Sequence, residues 1–149
     1  ILDTRKTTPG LRLFEKYAVN CGGAENHRFG LYDAILIKDN HIKASGGITP
    51  AVQKVKKNNT AVQIEVETNS LDQVREAVEK KIDTIMLDNM SVEMIKEAIC
   101  IIDGRALIEV SGSISFEQLS DLSKLSIDYI SVGALTHSSN ASDISMNFL

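Results

Sequence analysis

Cations at sharp turns and carboxylates after apolar runs are the residues of this chain best placed to do chemistry together. Arg5 and Lys6 precede Pro9-Gly10, Arg28 precedes Gly30, and Lys38 precedes Gly46-Gly47. Basic groups at turns can converge on one small anion, whereas basic groups along a helix face only solvate it. Arg offers a planar fork that fits a carboxylate and Lys a point charge. With Asn26 and His27 beside Arg28, these are the donors that a carboxylate or a diphosphate needs. Glu67 and Asp88 follow successive apolar runs. Two carboxylates brought together suit Mg²⁺, sugar hydroxyls, or a positive charge developing on a sugar carbon. Each group also has a plainer reading. The two acids could be solvated loop residues and His27 a neutral structural donor, while the roles of His41 and His137 stay open.

Two glycine turns complete the set. Ser111-Gly112-Ser113 leads through Ile114 to Ser115, and Gly133-Ala134 leads through Leu135 to His137-Ser138. Where such a turn joins a strand to a helix, backbone N–H groups point outward and the helix dipole favours an anion. The plainer reading is that glycine simply ends a strand.

The elements that must position these residues alternate along the chain. Leu11, Phe14, Tyr17, Ala18 and Cys21 recur at helical spacing, with Pro9 in the first turn and Gly22-Gly23 at the end. Residues 34–37 read as a short buried strand, and 50–59 as a helix capped by Thr49. A strand over 62–66 precedes a Ser70-capped helix to about Lys81. A strand over 84–87 precedes a Ser91-capped helix carrying Met94, Ile95, Ala98 and Ile102. A strand over 106–110 precedes a helix from Ser115 through Leu119, Leu122 and Leu125, and a strand over 128–132 follows. Ile1-Leu2-Asp3 is a candidate further strand, and residues 143–149 are ambiguous. This alternation predicts an α/β fold of βαβ units around a parallel sheet. Polar or glycine residues then stand at the C-terminal end of every strand, where a (β/α) barrel or an open α/β sheet places its active site.

Composition narrows the class. The 149 residues hold 16 Lys plus Arg and 20 Asp plus Glu, for a net charge of −4. Residues 1–48 carry seven basic and five acidic groups, so a cationic third is joined to an acidic remainder. A mildly acidic chain with no basic tail is a poor nucleic-acid binder. No apolar run approaches the roughly 20 residues of a membrane span. Cys21 and Cys100 lie 79 positions apart with no metal-ligand spacing, and read as buried or incidental thiols of a reducing compartment, the cytoplasm.

Longer motifs then carry a resemblance. They are Asp3-Thr4-Arg5-Lys6-Thr7-Thr8-Pro9-Gly10, Asn26-His27-Arg28 with Gly30-Leu31 and Asp33, and Leu36-Ile37-Lys38-Asp39-Asn40-His41-Ile42. Glu65-Val66-Glu67, Met86-Leu87-Asp88-Asn89, Glu109-Val110-Ser111-Gly112, and residues 131–138 from Ser131 to Ser138 follow in order. Together they resemble the quinolinate phosphoribosyltransferases, the carboxylating nicotinate-nucleotide pyrophosphorylases, over nearly the whole chain.

The resemblance implies part of an incomplete TIM-like (β/α) barrel of type II phosphoribosyltransferase kind. It implies transfer of phosphoribosyl from 5-phosphoribosyl 1-diphosphate to quinolinate, with decarboxylation to nicotinate mononucleotide for NAD synthesis. Arg5, Lys6, His27, Arg28 and Lys38 are then expected around the quinolinate carboxylates and the diphosphate, with Lys6, Lys38, Glu67 and Asp88 as the catalytic set. Glu67 and Asp88 are expected on the ribose hydroxyls and, through the sugar diphosphate, on Mg²⁺. Ser111, Gly112, Ser113, Gly133 and Ala134 are expected around the 5′-phosphate. Family members are roughly twice as long and carry an N-terminal α+β domain and earlier barrel strands. Residues 1–149 are therefore expected to be the C-terminal barrel portion, in a homodimer or higher oligomer whose partner subunit supplies an arginine. A related barrel with another acceptor and a non-catalytic phospho-ligand-binding fragment are the alternatives. Family members usually read Ser-Gly-Gly where this chain has Ser111-Gly112-Ser113, and Ala-Leu-Asp-Ile-Ser where it has 141–145. A Cβ at position 113 crowds the turn if that position needs positive φ.

Overall fold

A computed structural model describes residues 1–58 and 62–148. Its elements run α1 (Arg12–Cys21), β1 (Ile35–Ile37), α2 (Asp39–Ser45), α3 (Ile48–Asn58), β2 (Ile64–Thr68), α4 (Leu71–Glu79) and β3 (Thr84–Asp88). They continue with α5 (Val92–Ile102), β4 (Leu107–Ser111), α6 (Phe116–Leu122), β5 (Tyr129–Ile130) and α7 (Ala134–His137). The five strands form one sheet in the order β1-β2-β3-β4-β5, every pair parallel. Sequential parallel neighbours joined by right-handed crossovers put the connecting helices on one face. The other face is left to become a lumen, as in a barrel.

Burial follows that division. Val66, Ile85, Leu87 and Val110 are at most 1% exposed and pack with Val74, Ala77, Ile95, Ala98 and Ile102 from the helices. Each fully buried Ile or Leu contributes about 1.5–3 kcal/mol. The alternate residues face the lumen, and many are polar: Glu65 and Glu67 on β2, Asp88 on β3, Glu109 and Ser111 on β4. Register sets Glu67 level with Met86, and Met86 level with Glu109.

The sheet continues and curls. Leu2 bridges in parallel to Ser131 on one side and to Glu25 on the other. This is the candidate N-terminal strand, reduced to the one residue Leu2 with a bridge on each side. Beyond it, the His27 side chain reaches back across the lumen to carboxylates of β2 and β4. Arg28 Nη1 donates to the carbonyl of Ala34 just before β1, at 3.2 Å. Side chains from one edge can meet the opposite strands only if the sheet bends toward closure, which is an incomplete barrel.

Several boundaries differ from those expected. β2 runs to Thr68, so Glu67 lies inside the strand rather than after it, and β3 and β4 likewise include Asp88 and Ser111. Polarity reads as loop in sequence, but this lumen is polar. Residues 39–45 form α2 directly after β1. α3 starts at Ile48, so Thr49 is not its cap; its N–H and Oγ1 both donate to Glu76 Oε1, at 2.9 and 2.7 Å. The expected helix end at Asn59 lies outside the described residues. Ser70, Ser91 and Ser115 do cap α4, α5 and α6, each accepting from the N–H three residues on. α6 stops at Leu122, and β5 keeps two residues of the expected five. Among the described residues, no helix is long and apolar enough to cross a membrane. Cys21 and Cys100 are free and exposed, which removes the buried-thiol reading.

Helix α1 is turned inside out. Its periodic apolar residues do not pack on the core: Leu11, Phe14 and Tyr17 are 47%, 67% and 69% exposed. The inward face carries Arg12, Glu15, Lys16 and Val19.

Candidate functional site

The ends of β1 to β5 surround a cleft of about 610 Å³. Every residue expected to touch substrate lines it, Arg5, Lys6, His27, Arg28 and Lys38 together with Glu67 and Asp88 on the strands, whereas Asn26 does not and bonds Asp3 instead. Ser111, Gly112, Ser113, Gly133 and Ala134 line it from the two turns. Thr4, Leu36, Met86, Asn89, Glu109 and His137 line it too, without having been assigned a role. Asn89 and Glu109 stood inside quoted motifs, and lumen-facing alternation along β4 was the signal that could have placed Glu109.

The cations sit on three short segments, each held by the fold. The Lys6 carbonyl accepts from Thr136 Oγ1 at 2.7 Å, and the Lys6 N–H donates to Thr4 Oγ1 at 3.0 Å. The loop after Arg28 is turned by Asp33, whose carboxylate accepts from the N–H groups of Phe29 and Gly30, at 2.5 and 2.9 Å. Lys38 follows β1 at the N-cap of α2, and its N–H donates to His41 Nδ1 at 2.9 Å, so His41 caps α2. Lys38 Nζ meets Glu67 Oε2 at 2.9 Å with Lys38 half exposed. The Arg28 guanidinium is lowered from its ordinary pKa, first by burial and then by the neighbouring Arg5 charge. Arg5 Nε is buried without a protein acceptor. Two guanidiniums held near each other, one with an orphaned donor, call for an anion.

Beneath them His27, Glu65 and Glu109 meet. His27 Nε2 lies 3.1 Å from Glu65 Oε2 and 3.4 Å from Glu109 Oε2. The Ser131 hydroxyl donates to Glu109 Oε1. Burial alone would lower the His27 pKa; the hydrogen bonds that His27 donates to Glu109 and Glu65, with their negative charges, more than offset it and push it up to about 9. The Glu65 carboxyl is raised, mainly by burial. The cluster thus holds an extra proton at neutral pH. The Arg28 N–H lies 2.8 Å from His27 Nδ1, and the ring proton that the two carboxylates hold is the one on Nε2. The three side chains are close enough to hold a metal ion. A metal would have to displace the Nε2 proton, and with that proton held by two carboxylates the set fits a shared proton at neutral pH.

The turn after β4 is specialised. Gly112 has φ +99, and a Cβ there would come within 2.7 Å of the Asn89 backbone N and closer still to its side chain. Asn89 itself has φ +54, donates its N–H to the Ser111 carbonyl at 3.0 Å, and donates Nδ2–H to Asp88 Oδ2 at 2.7 Å. The Gly112 turn therefore sets the neighbouring acid. Ser113 sits at φ +49, so the serine does occupy a left-handed position.

A family model described as quinolinate phosphoribosyl transferase, C-terminal domain, matches residues 1–147. The chain belongs to this family. It is 45% identical over 165 residues to the chloroplastic carboxylating nicotinate-nucleotide pyrophosphorylase of Arabidopsis thaliana, covering 98% of this chain and 47% of that protein. It is 47% identical over 148 residues to the probable carboxylating enzyme of that name from Bacillus subtilis (strain 168), covering 99% and 51%. The crystal structure of NadC from Streptococcus pyogenes superposes with a TM-score of 0.92 at 51% identity, covering 99% of this chain and 52% of that one. The chain spans about half the length of the curated relatives it matches.

Proposed function

We propose that this chain forms the site-bearing part of an enzyme that transfers phosphoribosyl from 5-phosphoribosyl 1-diphosphate to quinolinate. Loss of the 2-carboxylate as CO₂ then gives nicotinate mononucleotide for NAD synthesis. The observation that carries the reading is the composition of one cleft in a member of this family. Arg5, Lys6, Arg28 and Lys38 face it together with Glu67, Asp88 and the Ser111–Ser113 and Gly133–Ala134 turns.

Two anionic substrates meet there. Arg5 and Arg28 hold the quinolinate carboxylates and aim its ring nitrogen at C1 of the ribose, with His27 and its two carboxylate partners supporting the floor of the site. Lys6 and Lys38 neutralise the leaving diphosphate, whose charge grows as the C1–O bond breaks. Glu67 and Asp88 face the ribose, where positive charge develops, and hold its hydroxyls. Ser111, Gly112, Ser113, Gly133 and Ala134 offer backbone and hydroxyl donors to the 5′-phosphate. Once ribose is attached, the pyridinium charge stabilises the electron pair left on C2 as CO₂ departs, and a proton taken up from solvent at C2 completes nicotinate mononucleotide. The oxygen donors of Glu67 and Asp88, on neighbouring strands at one cleft, fit a hard cation shared with substrate phosphates. When bound, Mg²⁺ supplies charge neutralisation to the diphosphate.

We also infer a homodimer or higher oligomer in which a partner arginine joins the carboxylate site. The exposed apolar face of α1 supports an assembly. The free, exposed thiols of Cys21 and Cys100 support a reducing compartment such as the cytoplasm.

The test incubates the polypeptide that carries this chain with quinolinate labelled in its 2-carboxyl, 5-phosphoribosyl 1-diphosphate and Mg²⁺. Labelled CO₂ and nicotinate mononucleotide are expected in equal amounts. Neither product ends the reading, and turnover of another pyridine or purine acceptor redirects it.

A further inference from the structure

The inward face of α1 carries charge where most helices carry a core. Asp3 is 0% exposed and Lys16 is 2% exposed, and their carboxylate and ammonium meet at 2.5 Å. A buried ion pair is weak evidence for stability, because desolvating both charges opposes their attraction and an apolar pair does as well. Its value must be sought in what it holds in place.

The pair grips both cation-bearing segments. Asp3 lies two residues before Arg5. Its Oδ1 also accepts from the His27 N–H at 2.8 Å, and its Oδ2 accepts from Asn26 Nδ2 at 2.7 Å. Lys16 Nζ donates a second time, to the His27 carbonyl at 2.9 Å, and the Lys16 carbonyl accepts from Asn26 Nδ2 at 2.9 Å. Both backbone polar groups of His27 are therefore bound to this one pair. One turn earlier on the same face, Arg12 spans the far ends of the same segments. It donates from Nη2 to the Arg5 carbonyl at 3.3 Å and from Nη1 to the Phe29 carbonyl at 3.2 Å. Its Nε donates to Thr7 Oγ1 at 3.0 Å.

We propose that α1 positions the anion site: Lys16 with Asp3, and Arg12, fix the separation of the Arg5–Lys6 and His27–Arg28 segments. Like charges that face one cleft repel and tend to spread, and Arg5 and Arg28 both line this cleft. A rigid tie between the two backbones opposes the spreading and keeps both forks aimed at one ligand before it arrives. Asp3, Lys16 and Arg12 are positioning residues, acting through Arg5 and Arg28. The inference rests on the proposed function only in taking the cleft as an anion site.

The test uses the Asp3→Asn/Lys16→Met double variant, which leaves net charge unchanged, so any loss of binding is geometric. Calorimetric titration with inorganic pyrophosphate probes the cation cluster, and titration with quinolinate probes the proposed acceptor. The double variant is expected to melt close to the parent protein and to bind pyrophosphate at least tenfold more weakly. Equal pyrophosphate affinity in a folded double variant overturns the inference, as does a parent protein that binds no pyrophosphate. If the parent binds pyrophosphate but not quinolinate, the proposed acceptor fails while the pyrophosphate arm still decides the positioning role. If the double variant does not fold, Arg12→Lys decides instead. It keeps the charge but loses the fork spanning two carbonyls, and about threefold weaker pyrophosphate binding with an unchanged melting temperature is expected. Unchanged affinity in Arg12→Lys then refutes the proposal.

Discussion

Replacing Gly112 by Ala tests the turn that links the glycine-rich end of β4 to the acid at the end of β3. Gly112 sits at φ +99, where an L-residue costs about 1–2 kcal/mol. The new Cβ would stand 2.7 Å from the Asn89 backbone N. A side chain can swing aside, but that nitrogen cannot move without loosening its 3.0 Å bond to the Ser111 carbonyl, worth about 1 kcal/mol. The sum is about 2–3 kcal/mol, a large fraction of the 5–15 kcal/mol typical of a whole domain. Gly104→Ala is the internal control. It has φ +67 but nothing within 4 Å of its added Cβ, so it should lose only the conformational cost of about 1–2 kcal/mol. Urea denaturation followed by far-ultraviolet circular dichroism measures both. If Gly112→Ala costs no more than Gly104→Ala, the packing of Asn89 against this turn is not what requires glycine.

Ser113→Gly should be near neutral, within about 0.5 kcal/mol, because relief of a left-handed serine offsets the freedom glycine gains in the unfolded chain; a loss above about 1 kcal/mol in the same urea assay would show that the serine side chain is a structural contact. Stability should fall with rising pH. His27 is raised in the folded state from 6.5 to about 9, so its stabilisation is complete below pH 6.5 and is lost as pH climbs through 9, by roughly 3 kcal/mol at most; an unfolding free energy that does not change between pH 6.5 and 9.5 contradicts the cluster. Lys38→Ala should cost under about 0.5 kcal/mol of stability, since its ion pair with Glu67 is half exposed, yet cut turnover at least about 100-fold; activity within twofold of the parent removes Lys38 from the proposed chemistry. Asp88→Asn should raise KM for 5-phosphoribosyl 1-diphosphate more than KM for quinolinate, and an equal rise would make Asp88 structural.

What could be read from sequence follows from where polarity lies. Ser70, Ser91 and Ser115 announced three helix starts because a hydroxyl before an amphipathic run has one common use. The alternation of strands and helices likewise fixed a parallel sheet. Three features escaped for physical reasons. Asp39-Asn40-His41 is polar and follows a strand, so α2 looked like loop, although His41 caps it from inside. Glu65 and Glu109 look like surface acids until the sheet curls and buries them around His27. The apolar stripe of α1 has the period of a core-facing helix, and nothing local says that its charged face is the one turned inward. The site residues were picked by type and motif. Their convergence on one cleft depends on strand order, which the motifs alone do not contain.

The central claim is that the cations at the strand ends form one site for an aromatic dicarboxylate. A crystal structure of the protein soaked with phthalate, an unreactive analogue of quinolinate, tests it most directly. The account predicts phthalate in this cleft with its carboxylates within hydrogen-bond distance of Arg5 and Arg28 and with Glu67 and Asp88 left free for the sugar. Phthalate bound elsewhere, or a cleft that stays empty at saturating phthalate, contradicts it.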